Sequence, residues 1–558
     1  MGDAPDTRLK TSFREPTSQE ERASGLDGGR ICPAMHMTLL VFVGLGLIAV
    51  AAHDLLQRRH AILRNFPIIG HFRYWLESVG PELRQYIVTS NNEERPFSRD
   101  QRRWVYSSSK LQNNYFGFGS TNDMELAPNY LVIKQQMFPA RVPRSGDPDY
   151  DPRHPLPCAK TLGGFRRRSR AFTPASVVNV SGMSFGALSG AAVEALNRGV
   201  QIAGCLQNTG EGGISPHHGH GGELVWQIGT GYFGCRELDG AFSLARLKDT
   251  VAAHRQVRAI EIKLSQGAKP GVGGVLPRAK ITDEIARIRH VPMDRDCISP
   301  SAHSAFRDVD SLLDFVERIA SETGLPVGIK AAVGELPFWH DLARFVGRGD
   351  RAVDFITIDG GEGGTGAGPL VFADRVALPF KLGFSRVHRI FVEHAANERV
   401  VFIGSGKLGF PDAALLAFAL GVDIINVGRE ALLSVGCIQA LRCHTNHCPT
   451  GIATQHPWLT RGLDPELKSV RLANYIITLR KELQILSGAC GATHPSLVSP
   501  DQLEMLDDRF GSQSVADIFG GRRQTVTGRS EASPEVAPAA SVLRVVPPSS
   551  ARTRQAAR

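Results

Sequence analysis

Apolar positions along this chain follow two rhythms. The first is an unbroken run: Met37 to Ala52 reads MTLLVFVGLGLIAVAA without a charge. As a helix it covers about 24 Å, short of the roughly 30 Å hydrocarbon layer, so a span also needs Ala34 to His36 and Leu55, Leu56. Residues 34–56 are therefore predicted as a membrane-spanning helix, ahead of two alternatives, a cleaved or sorting segment ending near Ala49-Val50-Ala51 and a buried helix. Arg58, Arg59 and Arg64 follow it closely, against Arg22 and Arg30 before it, which sets the rest of the chain on the cytoplasmic side.

The second rhythm begins beyond residue 159. Short β-branched runs alternate with helical stretches: Val177 to Val180, Cys205 to Asn208, Ala259 to Leu264, Pro326 to Lys330, Phe355 to Ile358, Val401 to Ile403 and Ile424 to Val427. Each ends in Gly or polar residues. That pattern predicts an α/β fold, a parallel (β/α)8 barrel over 159–520 with its site at the C-terminal strand ends. Seven strands are located, the eighth is not, and a doubly wound sheet is the alternative. Residues 57–158, mixed and punctuated by proline, read as a cap around the barrel. Residues 1–33 and 521–558 carry the composition of disordered ends.

Composition changes this little. The chain is 42% hydrophobic and 21% charged with 58 Gly, ordinary for a globular protein with many tight loops. The net charge of +9 owes much to the segment after Gly520, where seven Arg face two Glu, so no nucleic-acid groove is implied. Arg166, Arg167, Arg168 and Arg170 read as solvated surface, with acidic lipid or an acidic redox partner as the alternative. Gly44-Leu45-Gly46-Leu47-Ile48-Ala49 matches a dinucleotide fingerprint, but no βαβ pattern surrounds it, and it reads as helix packing in a membrane. No other segment resembles a nicotinamide-binding domain.

Cysteine changes the picture more. Three of the nine cysteines crowd together in CIQALRCHTNHCP as Cys437, Cys443 and Cys448, which is no secreted disulfide framework. Three soft thiolates on a short irregular loop suit an iron-sulfur cluster. The alternatives are zinc with His444 or His447 as fourth ligand, and buried free thiols.

The segment Cys443 to Gln455, CHTNHCPTGIATQ, resembles the cluster-binding segment of glutamate synthases, in which this spacing holds a three-iron, four-sulfur (3Fe-4S) cluster. Thr450 stands where that family usually has Val. The resemblance to the family's FMN domain runs from about Val177 to Gln455. It takes in Ser181 to Gly186, Asn208 to Gly213, Ile260 to Gly271, Ile298 to His303, Ile358 to Pro369 and Gly404 to Gly409, in consistent order.

The resemblance implies FMN and a 3Fe-4S cluster on Cys437, Cys443 and Cys448. It implies flavin contacts from Ser181, Gly182, Met183, Ser184, Asn208 and Gln227, with the phosphate near Gly404, Gly406, Gly428 and Arg429. Lys330 would face the flavin ring and stabilise negative charge on it. Lys269 and Arg289 would hold the carboxylates of 2-oxoglutarate, Gln266 would add a hydrogen bond, and Glu211 would orient ammonia or move a proton. Lys263, Lys269 and Lys330, taken singly, read as ordinary ion-pair lysines; only the surrounding motifs change that. The implied reaction is hydride transfer to 2-iminoglutarate, giving L-glutamate. The alternatives are another amine, as in N-methylglutamate formation, and a non-catalytic membrane redox subunit, which Val272 favours because the family often has Glu there. Met1-Gly2-Asp3 offers no N-terminal cysteine nucleophile, so ammonia is not expected to come from glutamine on this chain. Electrons are expected from ferredoxin or a separate NAD(P)H-oxidising subunit.

Overall fold

A computed structural model describes residues 33–86, 94–115, 117–120, 122–125, 127–509 and 511–520. Apart from Pro33, the ends expected to be disordered lie outside the described residues.

The long apolar run is helical. Helix α1, Pro33–Leu56, contains the segment Met37–Leu56, whose mean hydropathy is 2.3 and which is 6% buried in the rest of the chain, so it is long and apolar enough to cross a membrane. It is not a core helix of this chain. Asp54 in its last turn is itself fully buried: Ile68 N donates to Oδ2 at 2.9 Å, and His71 Nε2 lies 2.9 Å from both oxygens. That carboxylate fixes the exit of α1 to helix α2, Ile69–Tyr86. Helix α3, Arg99–Ser109, opens on a capping box between Ser98 and Gln101.

Eight parallel strands close into a barrel. They are β1 Val178–Val180, β2 Leu206–Asn208, β3 Glu223–Ile228, β4 Val257–Lys263, β5 Val327–Ala331, β6 Phe355–Asp359, β7 Val401–Ser405 and β8 Ile424–Val427. Their order round the barrel is sequential, and β8 closes on β1 through Ile425↔Val178 to Val427↔Val180. A doubly wound sheet is excluded. The strand missing from the sequence pattern is β3. Between β2 and β3 the chain makes only the 3₁₀ turn Pro216–His218 where a helix was expected, so the strand-helix alternation skips a beat there. The helices that shield the barrel are α4 Gly190–Ala203, α5 Leu244–Ala253, α6 Val309–Thr323, α7 Pro337–Arg348, α8 Phe380–Glu393 and α9 Pro411–Ala419. The short α10, Arg429–Ser434, follows β8, and α11, Pro465–Ala489, packs along α4 and α3.

Alternate residues of a strand face the barrel axis. Along β4, Ala259 joins the inner apolar cluster, Glu261 follows, and Lys263 ends the strand, while Ile260 and Ile262 pack outward with the helices. The interior thus changes from apolar at the bottom to ionic at the top. A turn through the antiparallel bridge Leu162↔Phe172 plugs the bottom, and its Cys158, Leu162 and Phe172 complete the lower layer with Leu206, Val225 and Phe355.

Arg166 and Arg168 belong to this plug, which corrects the solvated-surface reading for these two, whereas Arg167 and Arg170 are exposed as that reading has them. Arg168 Nε bonds Asp354 at 3.0 Å and its Nη1 bonds Glu317 at 2.6 Å. Arg166 pairs with Glu317 at 3.0 Å and donates to the carbonyls of Gly349 and Asp350. Asp354 in turn accepts from Val327 N at the foot of β5. These cations neutralise carboxylates at the barrel's bottom, at the opposite end from the cysteine loop. The 57–158 region is also more than a wrap: Tyr130–Ile133 pairs antiparallel with Leu503–Leu506, which pairs with Ser512–Ser514.

Candidate active site

The tops of the strands surround a cavity of about 400 Å3, lined by Ser181, Gly182, Met183, Ser184, Gln227, Lys330, Gly406, Gly428 and Arg429 together with Cys437, Cys443 and Cys448. A second pocket of about 70 Å3 adjoins it, with Glu211, Gln266, Lys269, Lys280 and Arg289 in its wall, and the two share Glu211, Gln266 and Cys443. Residues separated by more than 260 positions in sequence meet here because every strand ends at the same rim.

The larger cavity has a polar floor. Glu261, 1% exposed, accepts from Asn208 Nδ2 and Gln227 Nε2 at 2.7 Å and from Thr357 Oγ1 at 2.6 Å. A Cβ at Gly182 would lie 2.8 Å from Asn208 Oδ1 and 2.9 Å from Gln227 Nε2, so only glycine lets the β1 loop rest on these amides. Lys330 Nζ stands 3.4 Å from Asp359 Oδ2, which also accepts Gly267 N at 3.0 Å. Burial works against the charge of Lys330, yet Asp359 and Glu261 hold its pKa above the ordinary lysine value. Gly406 has φ +125°, a conformation that only glycine adopts readily, and gives the β7 loop a backbone wall with no side chain.

The smaller pocket is ionic. Lys263 Nζ donates to Glu211 Oε1 at 2.9 Å and to Gln266 Oε1 at 2.6 Å. Burial opposes ionisation of Glu211, but Lys263 first, then Lys269 and Arg289, hold its carboxyl below the usual carboxylate range. Lys269 donates to Ala367 O at 2.8 Å, and burial, reinforced by Lys263 nearby, pulls its pKa down to about 8. Arg289 donates to Phe185 O at 2.7 Å and lies over the Phe233 ring, while its buried Nε has no protein partner among the described residues.

Two expected flavin contacts stand apart. Asn208 lies beneath Gly182 as a support for Glu261, and Gly404 faces Phe380 and Leu408, so neither lines the cavity. Glu261, Asp359, Thr357 and Lys280 escaped the sequence reading. For Glu261, Thr357 and Asp359 the signal was a polar residue at alternate positions of an otherwise apolar strand, as in Ile260-Glu261-Ile262; Lys280 sits in the 3₁₀ turn Arg278–Lys280 and had no such signal.

The matches to known proteins fall on this region. Residues 167–493, more than half of the chain, match the family model described as the conserved region in glutamate synthase. The glutamate synthase large subunit-like protein YerD of Bacillus subtilis is 37% identical over 496 residues, 82% of this chain and 94% of its own. The chain belongs to the glutamate synthase family. It is thereby an oxidoreductase acting on CH–NH2 donors. The archaeal glutamate synthase (NADPH) of Methanocaldococcus jannaschii is 35% identical over 56% of this chain, which spans only 59% of that relative. A glutamate synthase large subunit-like protein of Rhizobium meliloti is 32% identical over 62% of this chain and 78% of its own. Among solved structures, a mandelate oxidase mutant with a monooxide FMN adduct aligns at TM-score 0.38 and 14% identity, covering 69% of this chain and 88% of its own. A flavocytochrome b2 variant with sulfite bound aligns at 0.41 and 13%, covering 86% and 99%. Likenesses that remote carry no argument about the site.

Within the family region the cysteine loop is held from both sides. Tyr106 OH donates to Cys437 O at 2.6 Å, and Gln439 exchanges hydrogen bonds with the backbone of Phe97. Lys280 Nζ donates to Ala187 O at 2.6 Å and Cys443 O at 3.2 Å, and Asn446 reaches Ala279 O at 2.7 Å. Gln439, Leu441 and Asn446 take positive φ, so the loop is held in a costly conformation. Cys437, Cys443 and Cys448 are all unpaired thiols. Among the described residues no three or more His, Cys, Asp or Glu side chains are grouped so as to hold a metal ion.

Proposed function

We propose that this chain forms L-glutamate by reductive amination of 2-oxoglutarate with ammonia, using FMN and a 3Fe-4S cluster and drawing electrons from a separate donor. The observation that carries the reading is the Lys263–Glu211–Gln266 cluster, with Lys269 and Arg289, opening beside a cavity walled by Lys330 and three free thiols.

The cavity's donor set fits FMN. Gly406, Gly428 and Arg429 offer backbone N–H groups and a guanidinium to its phosphate, Lys330 a buried charge to its ring, and Ser181 to Ser184 a flat wall. The three thiols line the same cavity and fit a cluster that binds each sulfur to a different iron, which keeps the sulfurs farther apart than ligands of one ion. When bound, FMN supplies hydride transfer and the cluster one-electron exchange. Lys269 and Arg289 bind the two carboxylates of the oxo acid. Glu211, ionised and paired, accepts N–H bonds and orients the amine; its depressed pKa suits that role better than proton release. This ionic set also weighs against a subunit that has lost its substrate. In holoenzyme reduced chemically without air, 2-oxoglutarate plus ammonia is expected to reoxidise the flavin faster than 2-oxoglutarate plus methylamine. No reoxidation with either amine would overturn the reading, and a preference for methylamine would move it to N-alkylglutamate formation.

Lys269 gives the reaction a pH signature. Its pKa of about 8 in the free protein lies below the ordinary lysine value, so the ammonium is intact below pH 8 and is lost above it. The KM for 2-oxoglutarate is expected to stay flat up to about pH 8 and then rise by up to roughly tenfold per pH unit. Lys269→Arg, which keeps its charge, is expected to flatten the rise; a wild-type KM level through about pH 10 would remove Lys269 from carboxylate binding.

We read α1 as a single-pass anchor with the barrel on the cytoplasmic side, and ferredoxin or an NAD(P)H-oxidising subunit as the donor. Removing residues 1–52, which keeps the Asp54 clamp, is expected to release the protein from membranes with activity toward soluble donors intact. Retention in the membrane fraction would sink the anchor. Rapid consumption of NADPH by the isolated chain would contradict the separate donor.

A further inference from the structure

A cavity of about 460 Å3 lies outside the family site, between the turn after α1, helices α2 and α3, the start of the cysteine loop and α11. Its described wall carries eight Lys and Arg side chains and one carboxylate, Glu77, which is already engaged by Arg73 at 3.1 Å. The deepest cation is Lys468, 2% exposed. Its Nζ and Arg471 Nη2 both reach the same carbonyl, Arg59 O, at a long 3.4 Å. Among the described residues no carboxylate stands within ion-pair distance of Lys468 or Arg471; Asp464, one turn before Lys468, pairs with Arg58 at 3.7 Å. The crowding is felt in the protonation equilibria. Burial, with Arg471 and Lys110 nearby, pulls Lys468 down to about 7, and burial with Arg471 and Lys468 pulls His60 down to about 4.

A buried cation without counter-charge, as Lys468 is, is costly, and a fold that keeps one is suited to an anion from outside. A guanidinium fork beside an ammonium matches the oxygens of a phosphate group. The volume lies in the range that encloses a ligand of headgroup size, well beyond the need of a small ion. One rim is apolar: Leu76, 42% exposed, lines the cavity and continues into Ile69, Phe72 and Trp75 on the exposed face of α2, just after α1. A phosphate held at Lys468 with hydrocarbon leaving past Leu76 satisfies both walls.

We propose that this cavity binds a phosphate group, with the headgroup of an anionic phospholipid as its source. The lipid source rests on α1 as a membrane anchor, whereas the phosphate chemistry stands without it and independently of the glutamate-forming reaction. Tyr106, which also lines the cavity, donates to Cys437 O, so an occupant would touch the support of the cysteine loop.

The test is calorimetric titration of the full chain in neutral detergent with dihexanoyl phosphatidylglycerol, with inorganic phosphate, and with a short-chain diacylglycerol that lacks phosphate. Saturable binding of the phosphatidylglycerol is expected, weakened at least tenfold in Lys468→Met and in Arg471→Gln. The thermal midpoint of unliganded Lys468→Met is expected to be unchanged or higher, since that change deletes an uncompensated charge. Phosphatidylglycerol binding tighter than inorganic phosphate assigns the site to lipid; equal binding assigns it to a soluble phosphate compound. Binding of neither, equal binding of diacylglycerol, or affinities unmoved by both substitutions would overturn the proposal.

Discussion

Glu261→Ala is expected to destabilise the protein by about 3 to 5 kcal/mol, because it leaves three buried donors, Asn208, Gln227 and Thr357, without their acceptor. Flavin retention should fall with it, since Asn208 and Gln227 are the amides on which Gly182 and the β1 loop rest. Glu261→Gln keeps an acceptor oxygen but adds two N–H donors to a site already full of donors, so most of the loss should remain. Urea denaturation followed by tryptophan emission checks this, with flavin content measured on the same samples. A midpoint shifted by less than the equivalent of about 1 kcal/mol would mean that water or neighbouring groups replace the carboxyl, and that the floor is not structural.

If Cys437, Cys443 and Cys448 hold a three-iron cluster as proposed, Cys443→Ser is expected to lower iron from about three atoms per chain to below one, because a cluster with three thiolate ligands has none to spare and is lost as a unit. Electron uptake from a one-electron donor should fall on the order of 100-fold. The flavin should remain, because the residues proposed to hold it come from β1, β5, β7 and β8 and leave Cys443 out. Iron assay, visible absorption and flavin content on one anaerobic preparation separate these effects. An unchanged iron content in the variant would rule out Cys443 as a ligand; loss of iron and flavin together would mean that the loop, rather than the thiolate, was damaged.

The arginine-rich run near Arg168 shows what charge in a sequence leaves open. Four basic residues in five positions look like a docking patch, but Arg168 is spent on Asp354 and Glu317, which lie 186 and 149 positions away. An acidic electron donor therefore finds no argument there. The cavity around Lys468 is the converse case: its cations come from segments as far apart as Arg59 and Arg471, and only the fold brings them together.

The sequence by itself determined the alternation of parallel strands with helices and the end at which the site lies; closure into a barrel, rather than a doubly wound sheet, was decided by the tertiary structure. β-branched runs ending in glycine can be satisfied only as buried parallel strands, and those runs lie in β1, β2 and β4 to β8. It determined α1 by the same logic, since a long apolar stretch must be buried or leave water. The spacing of Cys437, Cys443 and Cys448 likewise placed three thiols on one loop, and they line one cavity, because residues close in sequence stay close in any fold. The tertiary structure decided what depends on which distant residues meet. β3 was hidden because a 3₁₀ turn replaces the helix that would have marked it, and only barrel closure requires a strand at Glu223–Ile228. Glu261 has no distinguishing neighbour in sequence, and its role exists only because β2, β3 and β6 aim Asn208, Gln227 and Thr357 at one point on the barrel axis. Hydrophobic periodicity reports which side of an element faces the core; it does not say which polar groups share that core, because hydrogen bonds between strands are fixed by three-dimensional register.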